Sequence, residues 1–152
     1  MSPPVFIVDT SVVVAGMLTD SRQSPVAQAL DAMLAGTLIF LMSPALLDEY
    51  RAVLLRPTLA KLHALTEAEI DQLLVELTAN AIWREPGPAS PAPDPGDDHL
   101  WALLRAYPGS LLVTGDRLLL QNAPKQGSVI SPATWLGGFA AAAGPRAGPG
   151  KT

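Results

Sequence analysis

The sequence contains no cysteine, which excludes a disulfide framework and a thiolate metal site. It has no apolar run approaching the roughly 20 residues needed to span a bilayer, so no membrane attachment is expected. Met1-Ser2-Pro3-Pro4 lacks the basic start of a signal peptide, and no such pattern follows. A cytoplasmic protein is the simplest expectation. Excess positive charge is missing too: 14 acidic and 10 basic residues leave a formal net charge of −4. That argues against a protein that grips nucleic acid through a broad basic surface. It leaves room for a nucleic-acid enzyme whose local positive charge comes from bound metal.

What the chain does have is apolar content, 49% of 152 residues, enough for one domain with a proper core. Val5-Phe6-Ile7-Val8 is a short apolar run that ends in Asp9-Thr10-Ser11. Such a run reads as a strand buried on both faces of a parallel sheet, with Asp9 at its carboxyl end, where open α/β sheets place ligands. Leu38 to Met42, Ala81 to Trp83, Leu111 to Val113 and Ser128 to Ile130 read as further strands. Ser24-Pro25, Ser43-Pro44 and Ser131-Pro132 each pair a capping serine with a proline at the first helical position. Thr66 to Glu69 forms a capping box. The helix opened at Ser43 is expected to end near Arg56-Pro57. Strands alternating with helices predict a three-layer α/β/α sandwich with a mainly parallel sheet of four to five strands. The domain is expected over residues 1–142, with a disordered Gly/Pro-rich tail over 143–152.

The acidic residues carry the chemistry. Asp9 and Asp116 each follow an apolar strand and precede a helix. One such aspartate alone reads as a helix cap; two beside Ser and Thr read as a site. Leu46, Leu47, Tyr50, Val53 and Leu54 make one apolar helical arc. Glu49 lies at its border and can turn toward the sheet, whereas Asp48 lies opposite, in solvent. Asp94, Asp97 and Asp98 crowd one helix start, where a single cap would suffice. Ala102 and Ala106 form a small-residue stripe beyond Asp98, which would let the helix pack closely there. It favours Asp98 as the site member and Asp97 as cap or outer shell. His63 reads as a surface or packing residue and His99 as a weak ligand candidate, about 100° from Asp98 around the helix. Carboxylates without His or Cys partners select Mg²⁺ or Mn²⁺, cations suited to phosphodiester hydrolysis.

These pieces resemble the PIN-domain nucleases, in particular the toxin components of toxin–antitoxin systems. The resemblance rests on Val8 to Val12, on Ser43 to Tyr50 with Val53-Leu54 and Arg56-Pro57, on Asp94 to Leu100, and on Val113 to Leu119. It implies a quartet of Asp9, Glu49, Asp98 and Asp116 around Mg²⁺ or Mn²⁺, supported by Thr10, Ser11, Thr114, Asp97 and Asp94. It also implies an RNA substrate, a small antitoxin partner and a homodimer. Arg117, followed by Arg51 or Arg56, is the nominee for phosphate contact. No second acid follows Asp116 within its helix, which departs from a fully formed two-metal site and leaves one metal or two open. Two other classes remain open. A haloacid-dehalogenase-type phosphatase would need an aspartate where Ser11 stands. A catalytically quiet binding module would leave four carboxylates clustered at a cost in stability.

Overall fold

The computed structural model describes residues 3–88 and 91–140. The tail expected at 143–152 lies outside the described residues.

Five short parallel strands form the centre. β1 (Phe6–Val8) pairs in register with β4 (Leu111–Val113), and β4 pairs with β5 (Val129–Ile130). On the other side β2 (Leu41–Met42) pairs with β3 (Ile82–Trp83). The Phe6–Phe40 bridge and the bond from Phe6 N–H to Ile39 O join β2 to β1. The order across the fold is therefore β3-β2-β1-β4-β5. β1 is central, and Ile7 and Val8 are wholly buried, as its unbroken apolar sequence requires. Burying each such side chain contributes about 1.5–3 kcal/mol.

Helices flank the sheet in a three-layer α/β/α arrangement. α1 (Thr10–Leu18) packs on α2 (Pro25–Ala35), which also meets α8 (Pro132–Trp135). Gly16 is buried at the α1–α2 contact, where a Cβ would stand 2.6 Å from Val26 O; any side chain would push the helices apart. α3 (Pro44–Leu54) packs on α5 (Glu67–Ala79) and α6 (Asp98–Ala106). α7 (Arg117–Gln121) follows β4.

The three Ser-Pro starts behave as the sequence predicts. Ser24, Ser43 and Ser131 each accept a bond from the amide three residues on, and the Thr66/Glu69 box is complete. The leucine-rich helical stretch that holds His63 is a helix of its own. Beyond the break at Leu55-Arg56 the chain re-enters a helix, α4 (Pro57–His63), with Pro57 at its first position. A proline read as a stop is a start here, because its fixed φ suits a first turn as well as an ending. α4 itself buries no residue.

Candidate functional site

Parallel strands bring the ends of β1 and β4 to the same edge of the sheet. Asp9, 6% exposed, continues the ladder through its N–H to Val113 O. Its side chain makes no capping bond to α1. Instead Oδ2 accepts from Thr114 Oγ1 at 2.6 Å and from Ser11 Oγ at 3.0 Å. Thr114, wholly buried, takes the Asp116 N–H on the same hydroxyl oxygen at 2.9 Å, which leaves the hydroxyl proton for Asp9. Asp116 does cap: its Oδ1 accepts from Leu118 N–H. The two aspartates and Ser11 line one cavity of about 470 Å³, with Val12, Gly115 and Pro132.

Glu49 projects from α3 and is half-buried, while Asp48 is exposed, as the helical arc requires. Thr10 Oγ1 donates to Glu49 Oε1 at 2.8 Å, and His99 Nε2 lies 3.3 Å from the same oxygen. The neighbouring Tyr50 is fully buried and donates its hydroxyl to Val8 O, tying α3 to the last residue of β1. Hydrogen bonding from His99 is the main cause holding the Glu49 carboxyl below its usual range; burial opposes it, and Thr10 and Arg56 assist. Burial pushes the Asp9 carboxyl up, against the Thr114 and Ser11 hydroxyls, with Glu49 repulsion adding to the rise.

The third acid differs from expectation. A 3₁₀ turn (Pro95–Asp97) precedes α6, stabilised by Asp94 Oδ1 accepting from Gly96 N–H. That turn carries Asp97 toward the other acids. Burial, followed by repulsion from Asp9, Glu49, Asp94 and Asp116, pushes its carboxyl up to about 6. Asp98 is engaged elsewhere: its Oδ1 accepts the Ala92 N–H at 2.7 Å, pinning the strap between β3 and the 3₁₀ turn, which carries Pro86, Pro88, Pro91 and Pro93. It lines a separate cavity of about 520 Å³ with Ser43, Pro86, His99 and Ala102. The expectation put Asp98 in the site; its carboxylate is partly spent on Ala92, while Asp97 is the acid that feels Asp9, Glu49 and Asp116. Ala102 makes room for that cavity, and Ala106 is exposed, so the stripe does not mark a close contact through both residues.

Among the basic nominees, Arg51 is committed to Asp71 and Glu67, at 2.8 and 2.6 Å. Arg117 is exposed at the first position of α7. Arg56 is close enough to act on Glu49. The residue that the sequence undervalued is His99, whose ring reaches Glu49 across the α3–α6 contact. No local pattern signals a pairing of residues on two different helices.

The donor set is oxygen-rich, which suits a hard divalent cation. Burial raises the Asp9 and Asp97 carboxyls, and repulsion from neighbouring acids adds to the rise; a cation would offset both. Among the described residues no three acidic or histidine side chains yet converge closely enough to hold a metal. Among the described residues, no helix is long and apolar enough to cross a membrane.

A protein-family model described as "PIN domain" matches residues 5–118, a span holding all the acids just described. No curated protein and no solved structure matches the chain.

Proposed function

The chain belongs to the PIN-domain family, whose members are generally nucleases that use divalent metal ions, and on that premise we propose a Mg²⁺- or Mn²⁺-dependent endoribonuclease. The observation that carries the reading is Asp9: a buried carboxylate at a strand end that caps nothing and is held by two hydroxyls. A carboxylate kept dehydrated in that way is costly unless a cation compensates.

Asp9, Asp97, Asp116 and Glu49 are the residues that would hold the ion. When bound, it polarises the phosphoryl oxygen and lowers the pKa of attacking water. The protein's own groups do the positioning. Thr114 and Ser11 fix the Asp9 rotamer, Thr10 and His99 fix Glu49, and the 3₁₀ turn presents Asp97. Arg56 and Arg117 are the candidates for phosphate contact. Asp98 and Asp94 support the strap and turn. The four motif segments that resemble toxin components further support an RNA-cleaving toxin of a type II pair, acting in the cytoplasm, paired with a small antitoxin and dimeric.

The test is cleavage of RNA by purified protein with Mn²⁺, Mg²⁺ or chelator, beside Asp9→Asn. Metal-dependent cleavage that falls by roughly 100-fold or more in the variant, with unchanged circular dichroism, is expected, since loss of one preorganised electrostatic group typically costs that much. Full activity in a folded Asp9→Asn sample would refute the assignment.

A further inference from the structure

We propose that the opposite end of β4 carries a second binding site, one for a small organic anion with an apolar body. The cavity there measures about 400 Å³, within the roughly 300–1,000 Å³ range of small-molecule sites. Trp101 and Leu104 of α6 and Leu111 of β4 supply apolar walls, while Arg105 and Lys125 stand at its margin. Neither cation forms a salt bridge among the described residues. Two uncommitted cations beside one cavity stand out in a chain of net charge −4.

Ser110 is the second observation. It lines this cavity, is only 4% exposed, and its hydroxyl has no hydrogen-bond partner among the described residues. A buried polar group left unpaired is costly; the hydroxyl is sealed from water as it stands, and a turn of its side chain toward an acceptor in the cavity would satisfy it. The surrounding backbone is preset for such a pocket. Ser128 N–H and Oγ both bond to Lys125 O, closing a turn in which Gly127 has φ +81°. Ser110 N–H bonds to Tyr107 O across Gly109, at φ +87°. Ser110 lies four positions before Thr114 along extended chain, roughly 13 Å at about 3.3 Å per step, so this pocket is distinct from the acidic one. It needs no metal and does not depend on the nuclease reading.

The chemistry calls for a carboxylate, sulfonate or phosphate on an aromatic or aliphatic body, with the anion toward Arg105, Lys125 and the Ser110 hydroxyl. Naphthalene-1-sulfonate is a suitable probe, titrated into the intact protein and followed by ¹H–¹⁵N NMR. Saturable shifts are expected at Gly109, Ser110 and Gly127, with the amides of Asp9 and Asp116 unmoved. Affinity should fall about tenfold in the Arg105→Glu/Lys125→Glu double variant, two exposed positions where folding is safe. Naphthalene-1-methanol, uncharged, should bind correspondingly more weakly. Ser110→Ala should weaken the sulfonate while raising the Tm of the free protein. Absent shifts at these amides, or equal affinity in the double variant, would overturn the proposal.

Discussion

The turns after β1 and β4 share a plan, an apolar strand followed by aspartate and helix, yet their aspartates have opposite roles. Asp116 is a working cap: its carboxylate satisfies the Leu118 N–H at the start of α7. Asp9 stands in the same local position and caps nothing. The difference lies in what each turn faces. Asp9 ends the central strand, so it is buried and meets Thr114 from the neighbouring strand. Asp116 lies one residue beyond Gly115 and is only partly covered. One carboxylate serves its own helix and the other is held out of structural service by a cross-strand hydroxyl. Thr114 joins the two turns, taking a bond from one and giving a bond to the other.

That contrast can be broken or sharpened by mutation. The largest effect concerns a second pair of aspartates with divided roles. Asp97→Asn is expected to lower metal-dependent RNA cleavage by roughly 100-fold or more. Asp98→Asn, which keeps an oxygen for the Ala92 N–H, should change it by no more than about threefold, within the reach of a lost charge at a preserved hydrogen bond. The reverse ranking in the same assay would restore Asp98 to the metal set. Next, Thr114→Val should destabilise the protein by about 1–3 kcal/mol in urea unfolding, because it strips one bond from each turn and leaves buried groups unpaired. A loss near zero would mean the two turns are not coupled through that hydroxyl.

Smaller effects separate the caps. Asp116→Ala should cost about 0.5–2 kcal/mol as a lost N-cap, and Asp116→Asn nearly nothing. Asp9→Asn, with no cap to lose, should leave metal-free stability unchanged or raised, since burial disfavours its charge. A cap-sized loss at Asp9 would contradict the contrast. The smallest effect is in the pH profile. The Asp97 carboxyl, pushed up to about 6, holds its proton in the folded state after the unfolded chain has released it. Its contribution therefore favours folding at low pH and is lost as pH rises from about 4 through 6. Thermal melts of the metal-free protein should show that the wild type loses more stability over this window than Asp97→Asn. Added Mn²⁺ should reduce the gap at pH 7.

Much of this was readable in advance, for local reasons. Ser24, Ser43 and Ser131 act through neighbours three residues away, so their sequence signature is the whole of the physics. Glu49 over Asp48 followed from helical phase alone. The choice of Asp98 over Asp97 rests on helical phase, which ignores two features of that helix start. A 3₁₀ turn precedes the helix and changes the direction of the first carboxylate, and Ala92, on the strap, claims the second. His99 was discounted for a related reason: its partner is 50 positions away in numbering, on another helix. The separate start of α4 escaped because a proline closes one helix as readily as it opens the next.

The bond between Thr114 and Asp9 joins residues 105 positions apart. Contacts of such long range are the last that a growing chain can make. On the ribosome, an emerging fragment that stops short of β4 carries Asp9, Glu49 and Asp97 but lacks the strand that orients the first of them. The order of synthesis thus leaves Asp9 without its cross-strand hydroxyl until Thr114 has been made.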